Sequence, residues 1–362
     1  MKEKKKFSIL KVLKYILIAI IVIVVGYVAY VFIDYHRIPD NQELTVTSNS
    51  DEIVKTNTTY KMTAYNIGFG AYPADYSFFM DGGKYSRAYD KETVIKDMEG
   101  VINHIKEYNP DFMLYEEVDT DSNRAWHVNE YQMLVDAFKE YSTVFAQNYD
   151  SPYLMYPLTK PHGKSKSGIA TFGKFKFTSS LRRQLPIETS IYKLLDLDRG
   201  YSKTRIPTEN GNELVLYVTH MSAYTKTGSI VTDQLNMILG DMQEEYEKGN
   251  YVIAGGDFNK DLFGGTEQYS GKKAPEEYTW DRPFPLELLE GKNLTLKPPI
   301  DENKEKGTVR NSDAPLKEDT YVATLDGFIV SDNVKVISSK VIDTGYDVSD
   351  HNPVIMEFEL IK

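Results

Sequence analysis

The chain of 362 residues is 41% apolar and 26% charged, which is typical of a folded protein and excludes a disordered or fibrous one. The formal charge is −11, and the first 33 residues contribute +5 (six lysines against Glu3), so the remainder carries −16 and is a poor general binder of nucleic acid. The absence of cysteine excludes disulfides, thiolate nucleophiles and cysteine-bound zinc or iron–sulfur sites.

The first feature along the chain is an uncharged stretch of nineteen residues, 15–33, which is long enough to cross a bilayer once. Lysines precede it and Asp34 follows it, so the positive-inside rule predicts a cytoplasmic basic segment at 1–14 and a transmembrane helix at 15–33. A cleaved signal peptide is the alternative, although no small-x-small cleavage site follows the stretch. We therefore predict a single-pass protein of the cell membrane with its C-terminal domain extracellular.

Residues 34–58 are predicted to form a polar tether between the membrane and a folded body at 59–362. The part from Gln42 to Thr59 is rich in Thr, Ser, Asn and Asp and shows no apolar period. As a flexible coil, a segment of this length would reach roughly 20–25 Å.

The body is predicted to alternate short apolar strands with amphipathic helices. The predicted strands are 61–67, 111–115, 167–172, 213–220, 251–258, 326–330 and 353–360, and the predicted helices are 91–108, 130–141 and 230–246. This mixture indicates an α/β fold in which helices cover sheets, with irregular insertions at about 71–90 and 260–318.

The predicted strands end in an unusual set of polar residues. These are Asn66, Glu116 with Glu117, His220, Asp257 with Asn259, Asp326, and Asp350 with His351. Each residue alone has an ordinary explanation as a turn or the end of a strand. Together they predict one sheet edge that gathers oxygen ligands for a hard cation such as Mg²⁺ or Mn²⁺, and imidazoles for proton transfer.

The order of the motifs along the chain resembles that of a known protein superfamily. The segments YNIGF, PDFMLYEEV, SGIATF, VTHMSA, GGDFN, LDGFIVS and SDHNPV resemble the motif series of the endonuclease/exonuclease/phosphatase superfamily, which includes deoxyribonuclease I and bacterial sphingomyelinases. The resemblance covers about 60–362, and GGDFN and SDHNPV are its most specific motifs. It implies a four-layer α/β sandwich of two packed mixed β-sheets flanked by helices, and metal-dependent hydrolysis of a phosphoester. With the N-terminal helix, it implies a membrane-anchored, bacterial-type member.

The resemblance also implies a metal site. Glu117 matches the principal Mg²⁺ ligand, Asn66 matches an asparagine near the metal, and Asp350 matches an acid on the metal side. Mn²⁺ is expected to substitute for Mg²⁺. Glu116 stands where glutamine is commoner, and it adds negative charge near the metal.

Catalytic and substrate-binding roles follow from the same resemblance. His220 and Asn259 match residues that bind the scissile phosphate, and Asp257 matches the acid that orients or deprotonates the attacking water. His351 matches the histidine that stabilises charge in the transition state, and Asp326 matches the acid that holds its ring. One departure concerns His220: the deoxyribonuclease I branch pairs it with a glutamate after an arginine, whereas residues 198–201 here read Asp-Arg-Gly-Tyr.

The sequence therefore predicts a membrane-anchored, outward-facing Mg²⁺-dependent hydrolase of phosphodiester bonds, nuclease-like in character. The alternatives are a phosphatase or sphingomyelinase-like phospholipid diesterase on the same fold, and an inactive binding module, against which the complete set of motif residues argues. The substrate class is a nucleic acid, a phospholipid or a small phosphate ester, and no obligate protein partner is indicated. The aromatic insertion at 68–89 should lie over the site, where it stacks on a ring, lines a lipid-facing slot or simply packs.

Overall fold

The computed structural model describes residues 8–47, 49–189, 193, 197–223, 229–263, 278, 280–300 and 307–361. The described helices are α1 (Ile9–Asp34), α2 (Lys91–Lys106), α3 (Glu130–Ala137) and α4 (Ser229–Glu247). Short 3₁₀ turns occupy Gly68–Gly70, Phe79–Asp81 and Leu286–Leu289.

The strands fall into two large sheets and one small one. They are β1 (Gln42–Glu43), β2 (Val46–Thr47), β3 (Thr59–Asn66), β4 (Phe112–Asp119), β5 (Ser142–Asp150), β6 (Lys166–Gly173), β7 (Ser179–Gln184), β8 (Gly200–Pro207), β9 (Glu213–His220), β10 (Tyr251–Asp257), β11 (Leu294–Lys297), β12 (Val309–Arg310), β13 (Val322–Ala323), β14 (Asp326–Ser331), β15 (Val334–Val341) and β16 (Val354–Leu360). The seven-stranded sheets have the orders β1-β7-β8-β9-β10-β14-β11 and β15-β16-β3-β4-β6-β5-β2. Both are mixed, since β9–β10 and β3–β4 pair in parallel and their neighbours pair antiparallel.

Three apolar layers hold the body together. Side chains from both sheets, such as Met62, Leu216 and Phe328, meet in a central core. A second core lies between α2, α3 and the sheet that contains β3, and a third between α4 and the sheet that contains β10. Helices therefore cover the outer faces of two packed sheets, and the predicted four-layer α/β sandwich is confirmed.

Local sequence explains where the helices begin and how they pack. Asp90 caps α2 by accepting a hydrogen bond from the backbone N–H of Thr93 at 2.8 Å. The buried face of α2 repeats at helical spacing through Val94, Met98 and Val101. The helix ends at Lys106, two residues earlier than predicted, and α3 ends at Ala137 rather than at 141.

An ion cluster ties α4 to the sheet beneath it. The carboxylate of Glu245, which is fully buried, accepts hydrogen bonds from Lys203 at 2.9 Å and Arg205 at 2.8 Å, both on β8. Lys248 and the Asn250 amide complete its hydrogen bonding at 2.7 and 2.8 Å. A buried carboxylate with this many donors is well compensated for the loss of water.

The helix α1 contains the predicted span 15–33 and is long and apolar enough to cross a membrane by length and composition. Its side chains are largely exposed up to Gly26, and Leu17 for example is 58% exposed. Contacts with the body begin at Tyr27.

The segment after α1 is docked onto the body, so the prediction of a flexible coil is wrong for the residues that pair. Strand β1 pairs with β7 and strand β2 pairs with β5, which adds one edge strand to each large sheet. The Arg182 guanidinium donates to the carbonyls of Ile38 and Pro39 at 3.2 Å each. The Asp198 carboxylate accepts hydrogen bonds from the Arg37 side chain and the Ile38 backbone. Backbone pairing, which needs no apolar side chains, explains why composition alone did not reveal this docking.

Candidate active site

The register of one sheet places three of the predicted residues side by side. Asp257 ends β10, which pairs in parallel with β9 and antiparallel with β14. The pairing sets His220 beside Asp257 on one side and Asp326 beside it on the other. All three side chains are buried, so the edge of this sheet carries a closed row of His, Asp and Asp.

The second sheet contributes Asn66 and Glu117. Asn66 ends β3 and pairs with Glu116 on the parallel neighbour β4. The pairing of β4 with β6 shifts register between Tyr115 and Val118, and Glu117 within that irregularity has a φ of 57°. A left-handed residue in a bulge redirects its side chain, and Glu117 is thereby turned into the cavity.

The loop before β16 supplies Asp350 and His351. Ser349 ties this loop to the end of β3, because its hydroxyl donates to the Asn66 carbonyl at 2.9 Å and accepts from the His351 N–H at 3.1 Å. His351 Nδ1 lies 2.9 Å from an oxygen of Asp326, so the predicted contact between this acid and this histidine is present.

Seven of the eight predicted residues line one cavity of about 450 Å³. They are Asn66, Glu117, His220, Asp257, Asn259, Asp350 and His351. Asp326 is 1% exposed and sits behind His351, where a group that orients the imidazole would be.

Asp257 is the centre of the polar contacts. Its Oδ2 lies 3.6 Å from Nε2 of His220, 3.8 Å from Nε2 of His351 and 3.3 Å from the Asn66 amide nitrogen. Its other oxygen accepts a hydrogen bond from the Asn259 N–H at 2.8 Å. One carboxylate oxygen therefore faces two imidazoles and an amide at the wall of the cavity.

The two histidines have opposite electrostatic surroundings. Burial lowers the pKa of His220 well below its usual value, and the positive charges of Arg199, His351 and Arg124 add to the effect. Burial also opposes the charge on His351, but the carboxylates of Asp326 and Asp257 outweigh it and raise the pKa of His351 well above its usual value. The surroundings therefore favour a neutral imidazole at His220 and an imidazolium at His351.

The carboxylates of Asp257 and Glu117 lie in surroundings that disfavour their negative charge, which a bound cation would stabilise. Burial and the neighbouring Asp326 raise the pKa of Asp257 to about 7. Burial likewise raises the pKa of Glu117, with Arg124 opposing the effect and Asp350 reinforcing it.

Asp257, Asp326 and His351 place possible ligand atoms within 4.8 Å of one another, but one oxygen of Asp326 already accepts from His351. The oxygens of Glu117, Asp350 and Asn66 suit a hard divalent cation better, because these residues line the cavity, whereas Oδ2 of Asp257 already faces two imidazoles.

Solved structures with the same architecture include an endonuclease/exonuclease/phosphatase from Beutenbergia cavernae, at a TM-score of 0.56 and 15% identity, over 84% of this chain and 72% of that one. The human Nocturnin catalytic domain aligns at 0.51 with 18% identity, over 87% and 96% of the two chains. ANGEL2, a 2′,3′-cyclic phosphatase, aligns at 0.54 with 15% identity, over 88% and 99%. This chain has the endonuclease/exonuclease/phosphatase fold. No family model and no curated protein matches it.

Glu116 lies behind the cavity of this fold. It is fully buried, and neither carboxylate oxygen has a hydrogen-bond partner among the described residues. Burial, with Asp326 and Asp257 adding to it, raises the pKa of Glu116 well above its usual value. These surroundings favour the protonated carboxyl, which is a close isostere of glutamine.

Sequence reasoning missed several cavity residues. Arg124 forms a two-fold ion pair with Asp119 at 2.8 and 2.9 Å, lies 3.8 Å from Glu117, and stacks over the Phe69 ring at 3.9 Å. Arg310, which ends β12 within the insertion predicted at about 260–318, also lines the cavity. Both are single arginines in segments without a motif, so no sequence signal marked them.

The aromatic insertion both packs and lines the cavity. Phe69, Tyr72 and Phe78 are buried in the core beside α2 and also border the cavity. His162 is buried in the cavity wall, and burial lowers its pKa to about 4. For His220, no described carboxylate bonds Nδ1, so the acid missing from the sequence is not replaced by another described residue.

Proposed function

We propose that this protein is a divalent-metal-dependent hydrolase of phosphodiester bonds, anchored in the membrane by α1 with its body outside the cytoplasm. The observation that carries the proposal is the Asp257 carboxylate between the imidazoles of His220 and His351, in the cavity that Glu117 and Asp350 also line. Two imidazoles whose pKa values are shifted in opposite directions beside one carboxylate are suited to acid–base work on a phosphoester.

In this proposal Glu117, Asp350 and Asn66 hold Mg²⁺, and Mn²⁺ substitutes for it. The bound cation would neutralise the non-bridging oxygens of the phosphate and lower the cost of developing charge. Asn66 and Glu117 belong to the second sheet and Asp350 to the loop before β16, whereas His220 and Asp257 end strands of the first sheet, so a phosphate would be held between groups from both sheets.

The other residues act on the water and the phosphate. Asp257 accepts the proton of the attacking water as the water oxygen bonds to phosphorus and the ester oxygen leaves, to be protonated from solvent. Its raised pKa makes Asp257 a better base near neutral pH than an ordinary aspartate. His351 donates a hydrogen bond to a phosphate oxygen from Nε2, while Asp326 fixes its ring through Nδ1. Asn259 and His220, which also line the cavity, bind the phosphate.

The test is hydrolysis of bis(p-nitrophenyl) phosphate by the purified full chain in detergent with Mg²⁺. Asp257→Asn removes the base and should lower kcat by about a hundredfold or more, the usual contribution of general base catalysis. Asp97→Asn is the matched control: Asp97 is a buried acid of α2 outside the cavity, and burial raises its pKa to about 8, so it is already neutral. Wild-type kcat in Asp257→Asn would contradict the assignment, and the same loss in both variants would indicate a general folding defect.

A further inference from the structure

The loop between β5 and β6 lies against the last turns of α1. The Tyr27 hydroxyl donates to the Tyr153 carbonyl at 3.1 Å and accepts from the Met155 N–H at 3.0 Å. The Tyr30 hydroxyl accepts from the Tyr153 N–H at 3.0 Å. These hydrogen bonds fix the loop beside the helix, two turns before the helix ends.

The length of α1 places this contact at the bilayer. A membrane crossing needs about 20 helical residues. Because α1 has 26 residues, every such window within Ile9–Asp34 contains Tyr27. The loop that bonds Tyr27 is therefore at the depth of the membrane or its interface, where tyrosine is the preferred residue.

The tip of the loop is apolar and exposed. Tyr156 is 70% exposed and Leu158 is 80% exposed, and Met155 beside them is 41% exposed. Hydrogen bonds within the loop satisfy part of its backbone: Leu154 and Gly163 exchange two of them, and the His162 N–H donates to the Tyr156 carbonyl at 3.0 Å. Exposed apolar side chains on such a backbone fit shallow insertion into lipid better than contact with water.

The same loop forms part of the cavity wall. The Tyr156 ring contacts the Phe79 ring, with centroids 5.8 Å apart. The next residue, Met80, is 47% exposed and lines the cavity, as does His162 at the base of the loop. The apolar tip is therefore joined to the cavity wall through Phe79, Met80 and His162.

A second wall leads to the end of α1. Tyr149 and Leu197 line the catalytic cavity and also a small neighbouring cavity. Tyr35 and His36, the residues that directly follow α1, line that second cavity. Both walls thus place the catalytic cavity close to the point where the chain leaves the membrane.

We infer that the tip at 155–158 inserts into the leaflet on the side of the body, and that the cavity receives the phosphate headgroup of a lipid from that leaflet. The inference rests on the proposed hydrolase function and names its substrate class as a membrane phospholipid. Phe78, Met80 and Leu197 offer an apolar path for the part of the lipid next to the headgroup. The phosphate would meet Glu117 and His351 at the inner end.

Insertion is tested in the full chain reconstituted into vesicles of phosphatidylcholine and phosphatidylglycerol. Because the chain has no cysteine, Leu158→Cys gives a single site for an environment-sensitive fluorophore. Ile337→Cys is the control, since Ile337 is 46% exposed on β15, at the opposite edge of the sheet from the strands that flank the loop. We expect a blue shift and quenching by spin-labelled lipid at 158 only. Equal emission and quenching at the two positions would overturn insertion.

The substrate is tested by comparing wild type with Leu158→Asp on those vesicles, on sphingomyelin vesicles and on bis(p-nitrophenyl) phosphate. We expect wild type to release phosphorylated headgroups, and Leu158→Asp to lower that turnover by about tenfold or more, given the free energy of burying a leucine. Turnover of the soluble diester should change little.

The result separates the two proposals. Hydrolysis of the soluble diester without hydrolysis of any lipid would overturn the lipid substrate and leave the hydrolase function standing. Failure on every substrate with Mg²⁺ and Mn²⁺ would overturn both.

Discussion

Replacing Asp326 by asparagine should slow catalysis without removing any cavity residue. Asp326 does not line the cavity, yet its carboxylate lies 2.9 Å from His351 Nδ1 and holds the imidazolium charge. Asparagine keeps the size of the side chain and removes the negative charge. The effect should therefore pass through the charge and orientation of His351, and through the pKa of Asp257, which Asp326 also raises.

The expected magnitude follows from the geometry. Charges centred about 4 Å apart interact by about 4 kcal/mol at the effective dielectric constant of about 20 that describes protein sites. Since about 1.4 kcal/mol corresponds to a factor of ten, kcat should fall by up to about a thousandfold. The carboxylate also raises the pKa of His351, so its loss should lower that pKa. If the imidazolium is the active form, activity should begin to decline at a lower pH in the variant.

The assay is the pH profile of kcat on bis(p-nitrophenyl) phosphate with Mg²⁺, accompanied by thermal unfolding of each variant. Asp97→Asn again serves as the control and should leave both the profile and kcat unchanged. A variant that kept kcat within about threefold of wild type, a change of less than 1 kcal/mol, would refute the role of Asp326.

Three further outcomes are expected. Exhaustive chelation should abolish activity, Mg²⁺ or Mn²⁺ should restore it, and Glu117→Gln should need more Mg²⁺ for half-maximal rate; undiminished activity in EDTA would disprove the metal requirement. Glu245→Ala should lower the free energy of unfolding by about 2 kcal/mol because it removes a buried acceptor of Lys203 and Arg205, which keep Asp241 and Glu213 as partners, whereas Glu247→Ala should have little effect. Although burial opposes the shift, hydrogen bonds from basic neighbours lower the pKa of Glu245 below 4.5. The stabilisation of the fold by Glu245 should therefore be complete above about pH 4.5 and decline on acidification, and urea titrations at several pH values would measure this. On intact cells, an impermeant maleimide should label Ile337→Cys and spare Ser8→Cys; the reverse pattern would invert the proposed topology.

The sequence predicts a strand where it contains a continuous run of apolar residues. Strand β9 was predicted at 213–220 and spans Glu213–His220, and β10 was predicted at 251–258 and spans Tyr251–Asp257. Both are central and buried along their whole length. By contrast β15, Val334–Val341, was missed, because most side chains of this edge strand are at least partly exposed, so that it lacks a continuous apolar run.

The candidate site was predictable only for residues that belong to a motif. Asp326 and His351 stand 25 positions apart, and they meet because β14 pairs with β10 while Ser349 ties the last loop to β3. Nothing comparable marks Arg124. Its place in the cavity depends on Asp119 and on the ring of Phe69, contacts that only the folded chain creates.

The docked segment between α1 and β3 has a kinetic consequence. Because Arg182 and Asp198 hold residues 37–39, and β1 and β2 are joined to the two sheets, the body is fixed to the end of α1. If α1 spans the membrane and the substrate is a lipid, as we propose, the cavity samples a surface rather than a volume, and a lipid reaches it only by lateral diffusion. Turnover should accordingly follow the mole fraction of substrate in the membrane and stay constant when the same vesicles are diluted into more buffer.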